Sequence, residues 1–129
     1  MKFMLMMHCK RSDWESLGTW SPAEFKAHVE FMKTFNKRLT AAGELVLAEG
    51  LDMPATARIV RAQKGKAPAV TDGPFAESKE FLAGFWIVDC VSQQRAIEIA
   101  GQASAAPGPG GGPMSIPIEL RQVMNAPNV

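Results

Sequence analysis

The segment that most constrains the fold is the first one. Residues 2–9 (KFMLMMHC) are apolar whichever way they are turned. As a strand they put Phe3, Leu5, Met7 and Cys9 on one face and Met4, Met6 and His8 on the other, because successive side chains alternate across the pleat. A strand with two apolar faces has to be covered on both.

One cover is encoded further along the chain. Ser21, Pro22 and Glu24 supply an N-cap hydroxyl, a proline at the first helical position and a capping-box carboxylate. Phe25, His28, Val29, Met32, Phe35, Leu39 and Ala42 then recur at spacings of three and four, and Gly43 provides a left-handed stop. Ser92 caps a second helix running to about residue 104, with Ala96, Ile99 or Ala100, and Ala103 facing inward. Further strands are expected at 44–50, 81–90 and 115–124, with a hairpin near 56–72 turning around Lys64 to Lys66. Residues 10–20 read as a polar loop, and APGPGGGPM at 106–114 as irregular chain.

This order defines an α+β chain: a ferredoxin-like antiparallel sheet with two helices on one face and an inserted hairpin, in a single domain over 1–129. Two helices cover one face only. The simplest cover for the other is a second copy, giving a sheet-to-sheet homodimer. The first and third core strands run antiparallel, so Cys9 and Cys90 fall at opposite ends of the sheet and do not pair.

Length sharpens this. With 129 residues the core is a thin two-layer one, so a sizeable pocket is expected to need a second subunit. The 14 basic and 13 acidic residues leave a net charge of +1, which argues against a generic binder of nucleic acid or of a membrane surface. The apolar run from Phe3 to Met7 is too short for a secretory signal or a membrane span. With two unpaired cysteines as well, a cytoplasmic location is expected.

The most specific local pattern is VTDGPFAESKEFLAGFWIVD at 70–89. Together with the MKFML start, GEL and AEGL within 43–51, and IELRQV near the end, it resembles the YCII-related proteins, and among them the DGPF-domain group. The resemblance implies a ferredoxin-like subunit that pairs into a dimeric α/β barrel. Most such proteins are uncharacterised. The group's frequent gene neighbourhood implies a regulatory association with an extracytoplasmic-function sigma factor as one alternative. The wider family's His and Asp dyad has no counterpart: Glu24 stands where the His would be, and ASAAPGPGGG at 103–112 replaces the turn carrying the Asp.

The leading expectation is a homodimer that binds a small molecule in a cavity between the paired sheets. Asp72, Glu49, His8, Glu77 and Lys79 are placed near its mouth, and either Trp86 or Phe85 faces it. The alternative is an enzyme in which Asp72 acts as general acid or base in isomerisation or elimination on a small cyclic substrate. Each residue also has a structural reading. Asp72 can serve the turn formed with Gly73 and Pro74, Glu49 can pair with Arg58 or Arg61, Glu77 and Lys79 can be solvated, and His8, His28 and Trp86 can be packing. No metal or cofactor is expected: His8 and Cys9 point to opposite faces, and GPGGGP at 108–113 lacks the Lys and Ser or Thr of a phosphate loop.

Overall fold

In the computed structural model, which describes residues 1–75 and 78–128 and the backbone alone of Trp14, the chain runs as β1 (Lys2–Lys10), α1 (Arg11–Ser16), α2 (Pro22–Ala41), β2 (Leu45–Gly50), β3 (Arg58–Gln63), β4 (Lys66–Asp72), β5 (Glu80–Asp89), α3 (Gln93–Ser104) and β6 (Ile118–Gln122). The main sheet has the order β2-β5-β1-β6 with every neighbouring pair antiparallel. That order and connectivity agree with a ferredoxin-like α+β fold. Strands β3 and β4 pair with each other as a separate two-stranded sheet, the expected hairpin.

The helix starts follow from the residues named above. The Ser21 hydroxyl accepts from the Glu24 amide, and the Glu24 carboxylate accepts in return from the Ser21 amide. At the other end Gly43 takes a φ of +71°, which lets the Glu44 amide turn back onto the Leu39 carbonyl. Ser92 caps α3 through the Arg95 amide. One element departs from expectation. Residues 11–16 form a short helix followed by a 3-10 turn at Leu17–Thr19, so the described residues hold three α-helices rather than two. No Pro or Gly interrupts residues 10–17, and the Ser16 and Thr19 hydroxyls satisfy the Asp13 and Ser16 carbonyls at the end of the turn.

Burial separates the two faces of β1 as the alternation requires. Phe3, Leu5, Met7 and Cys9 are buried against the helices, whereas Met4, Met6 and His8 are half-exposed. In β5, Trp86 and Val88 join the helix side, and Phe85 and Ile87 stand opposite Met6 and Met4 on the open side. The core is completed by Phe35 and Leu39 of α2, by Ala96, Ile99 and Ala103 of α3, and by Ile116. A two-pronged ion pair clips β2 to α3: Arg95 Nε and Nη2 donate to Glu44 at 2.9 and 2.8 Å. The guanidinium holds the Glu44 carboxyl below its ordinary range. Cys9 and Cys90 are free thiols at opposite ends of the sheet, since Cys9 pairs in register with Phe81 while the Cys90 amide bonds the Met1 carbonyl. No helix among the described residues is long and apolar enough to cross a membrane.

Candidate functional site

Helix α2 does not lie flat on the sheet along its whole length. Phe35 and Leu39 pack down into the core, but the stripe Phe25, His28, Met32 and Asn36 faces a cavity of about 340 Å³. Its floor is made where β2 and β5 carry small residues: Ala48, Gly50, Ala83 and Gly84. Gly84 is small of necessity, because a Cβ there would lie 2.9 Å from the Glu49 carbonyl oxygen. Met7, Cys9 and Trp86 continue the floor; Leu17, Trp20, Met114 and Ile116 close the sides. The cavity belongs to one chain and lies on the helix side of the sheet. This corrects the expectation that a sizeable pocket needs a second subunit: the chain gains the space by leaving small residues under a long helix.

Two polar side chains in the wall are fixed by partners behind them. His28 Nδ1 lies 3.0 Å from the Pro107 carbonyl oxygen, which can only accept, so Nδ1 carries the hydrogen and a neutral ring presents Nε2 as an acceptor. Nε2 has no hydrogen-bond partner among the described residues, and the Trp20 ring packs T-shaped against the imidazole, centroids 5.6 Å apart. Asn36 Oδ1 accepts from Trp86 Nε1 at 2.9 Å, which leaves its amide nitrogen free to donate. His28 and Asn36 are eight residues apart on α2, about 12 Å along the helix. The cavity therefore has an apolar body with an acceptor towards one end and a donor towards the other.

Cys9 and Asp13 also line it. Burial first, then the carboxylates of Asp13 and Glu80, push the Cys9 thiol up to about 11, so it is protonated at neutral pH and a poor nucleophile. The glycine-rich segment passes beside the cavity and is tied to the start of α2. The Gly110 amide donates to Glu24 Oε2 at 2.6 Å, and the Pro107 carbonyl accepts from His28. Bonds from the Ser21 and Gly110 amides keep the Glu24 carboxyl below its usual range. A Cβ on Gly108 would lie 2.6 Å from Met114 Cγ, so a larger residue there has to displace the Met114 side chain in the cavity wall.

The residues named from sequence are not brought together. Trp86 lines the cavity, buried, with Phe35 edge-on at 5.7 Å. Glu49 borders the floor, but its register with Phe85 sets its side chain on the open face, and it makes no ion pair with Arg58 or Arg61. His8 is on that open face too, 2.9 Å from Glu119. Asp72 ends β4 outside the cavity, its side chain 92% exposed and 3.7 Å from Arg58, its register partner. The adjoining Gly73 packs tightly on Ala57, whose carbonyl accepts its amide at 2.9 Å. Lys79 is exposed, and Glu77 lies outside the described residues. His28 and Asn36 were missed as site residues because their spacing on α2 is that of packing positions. The signal that marks them is the small residues at 48, 50, 83 and 84, which leave space beneath this part of α2.

Comparison with known proteins places the chain in a family and leaves the chemistry open. The YCII-related domain family matches residues 1–108. The chain is also 33% identical over 89 residues to an uncharacterised protein, R00369, of Rhizobium meliloti (strain 1021), a match covering 69% of this chain and 71% of that one. The family match takes in the whole cavity except the wall at Met114 and Ile116. With most of its length matched, the chain belongs to the YCII-related family.

Proposed function

We propose that each chain binds one small, largely apolar molecule in the cavity under α2, and that two chains pair through their open sheet faces. The observation that carries the first part is the apolar cavity with its two fixed polar groups, His28 and Asn36. A matching ligand has an apolar, preferably flat body, a hydrogen-bond donor for His28 Nε2 and an acceptor for the Asn36 amide. The open face supports the second part, because Met4, Met6, Phe85 and Ile87 are only half-covered there and Leu47 is exposed.

The neutral probe N-phenyl-1-naphthylamine, with an apolar body and one N–H donor, tests the site. Its emission should shift to the blue and saturate at one probe per chain. The variant Met32→Trp, which fills the cavity, should abolish the signal, while Ile87→Ser on the opposite face should leave it. One probe per two chains, lost with Ile87→Ser and kept with Met32→Trp, would place the site between the sheets instead.

A second reading, acid–base chemistry on the bound molecule, is favoured by one observation: His28 is oriented by the Pro107 carbonyl so that its neutral Nε2 is the basic nitrogen. Imidazole nitrogen NMR at pH 8 should find the proton on Nδ1; a proton on Nε2 would remove this reading.

A further inference from the structure

The wall of the cavity is lopsided in charge. Among the described residues it holds two carboxylates, Asp13 and Glu49, and neither lysine nor arginine. Glu49 turns its side chain to the open sheet face, so the charge at the cavity itself is that of Asp13, in α1 four residues after Cys9. Asp13 and Phe25 both line the cavity and are both exposed, which sets them where it opens to water. The Asp13 backbone carbonyl accepts from the Ser16 hydroxyl, but its carboxylate has no partner among the described residues.

Inside, the same sign prevails. The Cys9 thiol reports the local field, because a nearby anion raises it and a nearby cation lowers it. Burial raises it most, and the charges acting on it, the Asp13 and Glu80 carboxylates, raise it further. Arg11, two residues on, is turned elsewhere: its guanidinium lies over the Phe81 ring, 5.0 Å from the centroid, and Phe81 is not part of the cavity wall. His28 Nε2 adds an acceptor to the wall, and the rings of Trp20, Phe25 and Trp86 present negative π faces. An anion entering this space would give up its water without gaining a cation.

We propose that the molecule bound under α2 is an organic cation: a protonated amine on a small apolar ring body, with the body in the cavity and the ammonium at its mouth on the Asp13 carboxylate. At about 340 Å³ the space is at the small end for ligand pockets, which limits the size of the body. The inference rests on the cavity reading above and adds the charge of the ligand.

Three probes of similar shape test it by calorimetry at pH 7: the cationic 1-naphthylmethylamine, the neutral 1-naphthalenemethanol and the anionic 1-naphthaleneacetate. The amine should bind about threefold or more tighter than the alcohol and about tenfold or more tighter than the acetate, the scale of one partly exposed ion pair and of its reversal. Asp13→Asn should bring the amine down to about the alcohol's affinity, and binding of the alcohol shows that the variant is folded. Glu15→Gln removes the same charge from α1 outside the cavity wall and should leave the amine's advantage as in the wild type. If the alcohol binds but the acetate binds as tightly as the amine, or if Asp13→Asn keeps the amine's advantage, the cation is wrong while the cavity stands. An equal loss in Glu15→Gln and Asp13→Asn would reduce the preference to general surface charge and remove the Asp13 contact. Binding of none of the three would overturn both readings.

Discussion

The two faces of the main sheet are built from alternate residues of the same strands, yet they meet different fates. On the helix side the strands give up volume at Ala48, Gly50, Ala83 and Gly84, and the helix above keeps a polar stripe edge, so a closed core grades into a cavity. On the open side the residues stay large, Met4, Met6, Phe85 and Ile87, and are bordered by charges at the strand ends. Small residues under a bridging helix make room for a ligand. Large ones on an uncovered face make a surface for another protein.

Substitutions on β1 test this difference with the largest expected effect. Leu5→Ala, at a fully buried position, should cost about 2–5 kcal/mol in urea unfolding. Met4→Ala on the neighbouring position should cost under about 1.5 kcal/mol in dilute protein, because that side chain is only partly withdrawn from water. Equal losses would mean that the open face is as well covered as the other. Next comes the floor. Gly84→Ala should destabilise by about 1–3 kcal/mol by forcing β2 away, whereas Gly101→Ala, where nothing lies within 4 Å in the exposed part of α3, should gain about 0.5–1 kcal/mol. Thermal unfolding that gave both the same sign would contradict the close approach of β2 and β5.

How much of this was legible in the sequence differs between fold and site. Alternation in residues 2–9, the capping box at Ser21 and Glu24, the cap at Ser92, and the strand runs with a turn around Lys64 to Lys66 were enough to order the core elements and the inserted hairpin. Those are local signals, set by neighbours in the chain. The site was not local. His28 and Asn36 acquire their character from Pro107 and Trp86, 79 and 50 residues away; periodicity on α2 records only that His28 faces inward, and Asn36, a polar residue, falls outside the apolar stripe. The motif around Asp72 is conspicuous in sequence, and in the structure its Gly73 is pressed against Ala57 at the base of the β3–β4 hairpin, a close approach that packing demands. Residues 11–16 were read as loop because one and a half turns of polar helix leave almost no periodic trace.

Asn36→Leu separates the cavity wall from the core behind it. It leaves the Trp86 Nε1–H without its partner, so a loss of about 1–3 kcal/mol is expected. Unchanged stability would mean that water replaces the amide and that the wall is wetter than described.

The smallest effect expected is that of pH at the clip between β2 and α3. Arg95 depresses the Glu44 carboxyl below its ordinary value of 4.5, so this pair stabilises the protein above that value and the contribution is lost as pH falls through the lowered one. Melting temperatures followed downward from pH 6 should fall less steeply in Arg95→Met than in the wild type. Parallel curves would show that Glu44 gains nothing from the pair.

The methionine methyl groups report on both faces at once, because Met7, Met32 and Met114 line the cavity while Met4 and Met6 sit on the open face. Carbon-13 methyl spectra recorded while N-phenyl-1-naphthylamine is added therefore test the central claim directly. Ring-current shifts at Met7, Met32 and Met114, with Met4 and Met6 unmoved, are the predicted result; shifts confined to Met4 and Met6 would contradict it.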